Sequence, residues 1–285
     1  MSAVWAFEAI GTRWQIDTER ELPGHVRSDV SALVDRFDRE WSRFRPDSLV
    51  SMLGRDGGSI PAPADAGAML EAYVELDAAT AGAVNPLVGE SLTRRGYDAA
   101  YTFVDRGAVP APERWRRILS WDDERVSVSE PATIDVGALG KGRLVDLVLA
   151  VVRAQVPGDV VVDGSGDLAA VGAPVRVGLE HPYDARRAIG VVTLTDAALC
   201  GSAVNRRAWG EGLHHVLDAR TGQPVRQIAA TWALAPVAMT ADAVATALFF
   251  DGGDRLARAW GVEWVRMTTD GRAEWSPGWD GELFL

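Results

Sequence analysis

Residues 133–148 read TIDVGALGKGRLVDLV, and the only lysine of the chain, Lys141, stands there between Gly140 and Gly142. One lysine among 29 basic side chains is not a routine solubilising charge. The apolar residues 134–136 read as a short strand, 137–142 as a loop that uses its glycines, and Arg143 onward as a helix. Leu144, Val145, Leu147, Val148, Val151 and Val152 recur at helical spacing and give that helix an apolar face. A glycine-rich passage from strand to helix brings backbone N–H groups together near a helix start, where the partial positive charge favours an anion. The same pattern also suits a tight connection with one exposed lysine. Neither GxxxxGK[ST] nor GxGxxG occurs in the stretch, so the common nucleotide fingerprints do not choose between the two readings.

Composition narrows the field. A chain of 285 residues, 47% hydrophobic, is long enough to bury roughly three quarters of its unfolded surface without staples. A formal charge of -11 opposes a nucleic acid or an anionic membrane as partner, because phosphate repulsion has nothing to offset it over a broad face. A phosphate ligand then needs a local metal or arginine. Cys200 is the only cysteine, which excludes an internal disulfide and a CxxC zinc or redox motif and fits a reducing compartment. The opening residues have no basic start followed by an apolar run, and no span approaches the roughly 18 apolar residues of a membrane helix. A cytoplasmic protein is the expectation.

Residues 4–16 read as two strands meeting across 9–12, with Trp5, Phe7 and Trp14 facing a core. Pro23 and Gly24 open a helix on which Val26, Val30, Leu33, Val34, Phe37 and Trp41 keep the helical period. In SRFRPDS (42–48), Asp47 is expected to cap a short helix, and Arg43 and Arg45 either reach an anionic ligand or are ordinary surface charges. A second helix is expected over 65–80. The stretch 160–167 is a buried strand running into a second glycine-rich turn, and strands follow at 175–179 and 189–194. Strands and helices do not alternate regularly, which favours an α+β fold over a doubly wound sheet, and no linker or repeat divides residues 1–285.

Two late segments carry chemistry. LHHVLDARTGQP (213–224) holds His215 and, three residues on, Asp218, which is well placed to brace the Thr221-Gly222 turn. His215 is a general base, a ligand or a structural histidine. MTADAVATALFF (239–250) reads as a helix with Thr240 as its N-cap, and Asp242 and Thr246 at i and i+4 share one face. A carboxylate and a hydroxyl there suit a hard cation such as Mg2+, or simply the ordinary roles of Asp and Thr in a helix start.

Together GTRW (11–14), SRFRPDS, TAGAVNPLVG (80–89), GYD (96–98), IDVGALGKGRLVD (134–146), VDGSGDL (162–168), HHVLDARTGQP and TADAVATALF (240–249) resemble the ApbE family of flavin transferases. These enzymes move FMN from FAD onto a Ser or Thr of an acceptor flavoprotein. The resemblance implies an α+β, T-fold-related unit over the whole chain, with two lobes, mixed antiparallel sheets and an FAD cleft between them. It implies Mg2+ held by Asp242, Thr246 and the carbonyl of Gly140, and His215 and Asp218 as the catalytic pair. It further implies FAD contacts at Gly11, Thr12, Lys141, Gly142, Asp167, Ser202 and Thr221. The chain departs from the family pattern at Ile10, Gly140, Arg143, Asp163, Ser165, Ala203 and Ala219, none of which is a metal-ligand side chain or the histidine. An FAD pyrophosphatase releasing FMN and AMP, and a non-catalytic FAD carrier, use the same site and remain alternatives.

Overall fold

Ile10 and Gly11 both take left-handed backbone angles, φ 44° and 72°, the geometry of a two-residue turn whose twist matches the strands it joins. The computed structural model describes residues 3–284. In it the strands Ala3–Ala9 and Thr12–Thr18 pair antiparallel, with Phe7 opposite Trp14. Trp14 is buried and Phe7 stacks against it, ring centroids 6.2 Å apart. The hairpin is one end of an eight-stranded sheet, continued by Val160–Asp163, Asp167–Val171, Ala197–Ala203, Ile228–Ala235, Glu263–Thr268 and Ala273–Trp275. Every pairing in it is antiparallel.

The helices are α1 (Gly24–Trp41), α2 (Leu49–Asp56), α3 (Ala66–Ala79), α4 (Gly89–Arg94), α5 (Gly140–Arg153), α6 (Ala238–Ala247) and α7 (Gly253–Ala259). On one face of the sheet, α5 and α6 pack against each other and against its central strands, and α1 covers α5. That face contributes Ala169, Ala198, Cys200 and Ala233 to the main core. The alternate residues Ala170, Leu199 and Trp232 point the other way, as strand geometry requires. They meet Leu179, Ile189, Val192 and Leu194 of a three-stranded sheet formed by Val175–Glu180, Ala188–Leu194 and Glu282–Leu283. Another three-stranded sheet, of Gly58–Pro61, Leu119–Trp121 and Arg125–Val128, completes an α+β architecture.

Four local expectations are corrected. Residues 134–136 are not a strand, because the Asp135 N–H donates to the Pro86 carbonyl, 2.8 Å, and no ladder forms. Helix α5 starts at Gly140 rather than at Arg143. Ser48, not Asp47, caps α2: its hydroxyl accepts from the Ser51 N–H at 3.1 Å, while Asp47 pairs with Arg45 at 3.0 Å. Thr240 lies inside α6, whose N-cap position is Val237 with no cap from its own side chain.

The glycines of 137–142 are used differently from the expectation, since none takes a left-handed φ. They are there for space. A β-carbon on Gly142 would overlap the Ala238 carbonyl oxygen and lie 2.7 Å from the Asp242 Cβ, so α5 and α6 approach as closely as they do only because residue 142 has no side chain. Left-handed angles appear instead in the second turn, at Ser165 (61°) and Gly166 (106°), which folds Val160–Asp163 back onto Asp167–Val171. Gly142→Ala is expected to cost about 1–3 kcal/mol through overpacking. Urea denaturation checks this, and an unchanged midpoint would show that the helices can separate without cost.

Candidate active site

A cleft of about 680 Å3 runs between the Ile10–Gly11 turn, the end of α1, the 135–141 loop and the Asp242–Thr246 face of α6. Its volume is within the range of pockets that hold a large cofactor. Lys141, Asp242 and Thr246 stand on one wall, His215 and Ser202 also line the cleft, and Gly11 and Thr12 reach it from the hairpin turn.

The wall is built from three separate elements. Asp167 begins a sheet strand, Lys141 is in the first turn of α5, and Asp242 is on α6. The Lys141 Nζ lies 3.2 Å from the Asp167 carboxylate and donates to the Ser165 carbonyl at 3.3 Å. Asp242 accepts from the Gly142 N–H at 2.9 Å. Both carboxylates are buried, at 1% and 3% exposure, and they share one ammonium. Burial, then the charge of Asp167, pushes the Asp242 carboxyl well above the ordinary carboxylate range, against the pull of Lys141. Burial likewise raises Asp167, with Lys141 opposing. For Lys141 burial acts downward, but Asp167 and Asp242 outweigh it and its pKa is raised, so it stays an ammonium.

This wall fits a hard divalent cation. With both carboxyls ionised the cluster carries more negative than positive charge, which a cation would relieve. The donors are all oxygens, and the Thr246 hydroxyl spends its proton on the Ala138 carbonyl at 3.2 Å, leaving its lone pairs available. Among the described residues no group of three or more His, Cys, Asp or Glu side chains is placed to hold a metal. A cation here would therefore use one carboxylate with hydroxyl and carbonyl oxygens. The Tyr73 hydroxyl fixes the loop that carries those carbonyls, donating to Asp135 O at 2.9 Å and accepting from the Ala138 N–H at 3.3 Å.

The paired histidines divide their roles. His214 is buried, its Nε2 2.9 Å from the Val225 carbonyl, a structural arrangement. His215 lines the cleft with its Nδ1 unpartnered, and burial, helped by Arg207 and His214, holds its pKa down to about 4. It is neutral at physiological pH.

Several expected site residues are placed elsewhere. Asp218 binds Arg220 at 2.6 Å and accepts the Arg220 N–H at 3.0 Å, so its carboxylate is spent on its own turn and does not line the cleft. The Thr221 hydroxyl bonds within the same turn, to Asp218 O and Gln223 N. Gly142 and Asp167 stand behind the wall and act on Asp242 and Lys141. Arg45 is neutralised by Asp35, Asp38 and Asp47. Arg43 is buried between Asp135 and the faces of Phe44 and Tyr97, with one guanidinium nitrogen, Nη2, left without a partner. Tyr73 and Asp135 carry no local signal of a role here, because their neighbours in sequence give no sign of the contacts they make across the fold.

The α+β frame that holds this cleft is shared with solved flavin transferases. The chain overlays the apo flavinyl transferase ApbE of Pseudomonas stutzeri with a TM-score of 0.81 and 21% identity, covering 97% of this chain and 95% of that one. It overlays the ApbE protein of Thermotoga maritima with a TM-score of 0.83 and 22% identity, covering 97% of each. Residues 10–265 match the ApbE family, and the chain belongs to it. It is 28% identical over 265 residues to the FAD:protein FMN transferase of Treponema pallidum, 80% of this chain and 71% of that protein. With the protein of the same name from Rhodobacter capsulatus it shares 27% over 291 residues, 93% of this chain and 55% of the relative's length.

Replacing Lys141 with Met strands a buried carboxylate and is expected to cost about 3 kcal/mol at neutral pH. Without the ammonium the two carboxyls rise further in the folded state, so the deficit shrinks as pH falls; denaturation across pH reads both, and a pH-independent deficit would contradict the account. His215 behaves oppositely. Its folded pKa of about 4 lies below the ordinary 6.5, so the unfolded chain takes up the proton first. Its share of stability is complete above 6.5 and is lost as pH falls towards about 4. The native chain is expected to lose stability to His215→Asn across that window, and parallel pH profiles would refute the shift.

Proposed function

We propose that this protein transfers the FMN part of FAD to a Ser or Thr hydroxyl of an acceptor flavoprotein, in a reaction that requires Mg2+ and releases AMP. The observation that carries the reading is the wall on which Lys141, Asp242 and Thr246 meet at a cleft of dinucleotide size. The names of the Treponema and Rhodobacter relatives support the same reaction.

In this reading the acceptor oxygen attacks the FMN-side phosphorus of FAD, the bond from that phosphorus to the bridging oxygen breaks, and AMP leaves with the electron pair. Mg2+ bound at Asp242, Thr246 and the Gly140 carbonyl would neutralise the pyrophosphate and the charge on the departing AMP. Lys141 remains protonated and contributes a fixed positive charge rather than a base. Gly11, Thr12 and Ser202 border the nucleotide, where a hairpin turn and a strand end leave room for it. His215, neutral and with a free Nδ1, receives the acceptor's proton, a role worth on the order of 10² to 10⁴ in rate. Asp218 serves by holding the turn that follows His215 in the chain, through its bonds to Arg220.

Incubation with FAD, MgCl2 and a lysate of the host, followed by in-gel flavin fluorescence and chromatography for AMP, tests the reaction. A fluorescent acceptor band lost on adding EDTA is expected, whereas free FMN and AMP with no band would replace transfer by hydrolysis. Asp242→Asn should abolish the Mg2+-dependent product while leaving stability at neutral pH unchanged or higher, because it removes one charge from a crowded buried pair. Full activity in that variant would remove Asp242 from the site.

A further inference from the structure

Helix α6 lacks a cap of its own, yet its first turn is held. The carboxylate of Asp146, on α5, accepts from two successive backbone N–H groups at the start of α6: Ala238 N to Oδ1 at 2.8 Å and Met239 N to Oδ2 at 2.9 Å. Such a carboxylate satisfies donors that a helix start otherwise leaves open and complements its partial charge. One turn earlier on α5 the Gly142 N–H reaches the Asp242 carboxylate at 2.9 Å. One helix thus grips the other at two points, its first residue and the residue proposed to bind metal. Two grips on one helix fix both its advance along its axis and its rotation about it. Thr246 follows Asp242 by one further turn and bonds to Ala138, just ahead of α5. Depth and rotation of α6 therefore decide where the Asp242 and Thr246 oxygens stand relative to Gly140 and Lys141.

We infer that Asp146 is a positioning residue for the metal site: it touches neither metal nor substrate and acts by docking the start of α6 onto α5. The inference rests on the assignment of Asp242 and Thr246 as metal ligands under Proposed function. It explains why a residue that does not line the cleft spends both carboxylate oxygens on a backbone 92 positions away in sequence.

Titration of the nucleotide-free protein with Mn2+, by calorimetry or by the loss of its free-ion magnetic resonance signal, reads the site without any turnover. Asp146→Asn keeps the shape and one acceptor oxygen, so one of the two bonds survives; Asp146→Ala keeps neither. Loss of outer partners to metal ligands typically weakens affinity about 10- to 100-fold. The Asn variant is expected near the lower figure and the Ala variant near the upper. In the assay with FAD, the apparent KM for Mg2+ should rise in both, and saturating metal should restore most of kcat in the Asn variant. Wild-type Mn2+ affinity in Asp146→Asn, accompanied only by a lower melting temperature, would make the contact a plain helix cap and overturn the inference. Failure of the unaltered protein to bind Mn2+ would instead overturn the metal assignment at Asp242 and Thr246, and this inference with it.

Discussion

Two buried carboxylates share one ammonium at the cleft wall, and the arrangement of the surrounding elements depends on that imbalance. Asp167 comes from the sheet, Lys141 from α5 and Asp242 from α6, so the charges tie together the three pieces that form the wall. Such a cluster is not an efficient source of stability, because removing charges from water costs about as much as their attraction returns. Its effect is local. The carboxyl of Asp242 is pushed up by burial and by Asp167, which makes a cation beside it favourable in a way that an ordinary surface aspartate would not.

Asp242 is buried because of the helix that carries it. On α6, Ala238, Ala241, Ala243, Val244, Ala245 and Ala247 are all buried, so the helix has almost no solvent-facing side. Small side chains allow it to lie directly against α5 and the sheet, and Gly142 removes the last obstacle. A polar residue on a helix of this kind has to be satisfied from elsewhere in the fold. The partner is Gly142 for Asp242 and the Ala138 carbonyl for Thr246, both from the 137–142 stretch. The glycines and the lysine of that stretch thus answer to one demand, close approach to a buried helix that carries two polar side chains.

What was legible in the sequence follows from how local each cause is. The opening hairpin is legible from its break at Gly11, and α1 and α3 from their apolar spacing, since each is decided by residues within a few positions of one another. Lys141 is conspicuous as the one lysine, whereas the residues of their own segments leave His215, Asp242 and Thr246 open and the resemblance singles them out; all four line the cleft. Residues 134–136 misled because an apolar run so short has no period, and the partner of the Asp135 N–H is a carbonyl at Pro86. A local rule makes Thr240 the cap; the actual cap comes from Asp146, and no window of sequence contains both ends of that bond. The resemblance implies Asp218 and Thr221 as site residues, and the structure shows their polar groups bonded within their own turn, a contact the motif alone does not reveal.

The chain's charge of -11 makes the choice of cleft residues a physical necessity rather than a preference. An acidic protein that admits a pyrophosphate needs cations that burial cannot neutralise. Arg43 lines the cleft with its guanidinium already committed, paired with Asp135 and stacked on Phe44 and Tyr97. Lys141 would be a poor choice alone, because burial lowers an amine, but Asp167 and Asp242 reverse the effect and keep it charged. The same burial has nothing to reverse it at His215, where Arg207 adds to the downward shift. The cleft therefore holds basic groups set apart by environment alone: a lysine kept charged by two carboxylates and an imidazole kept neutral by burial.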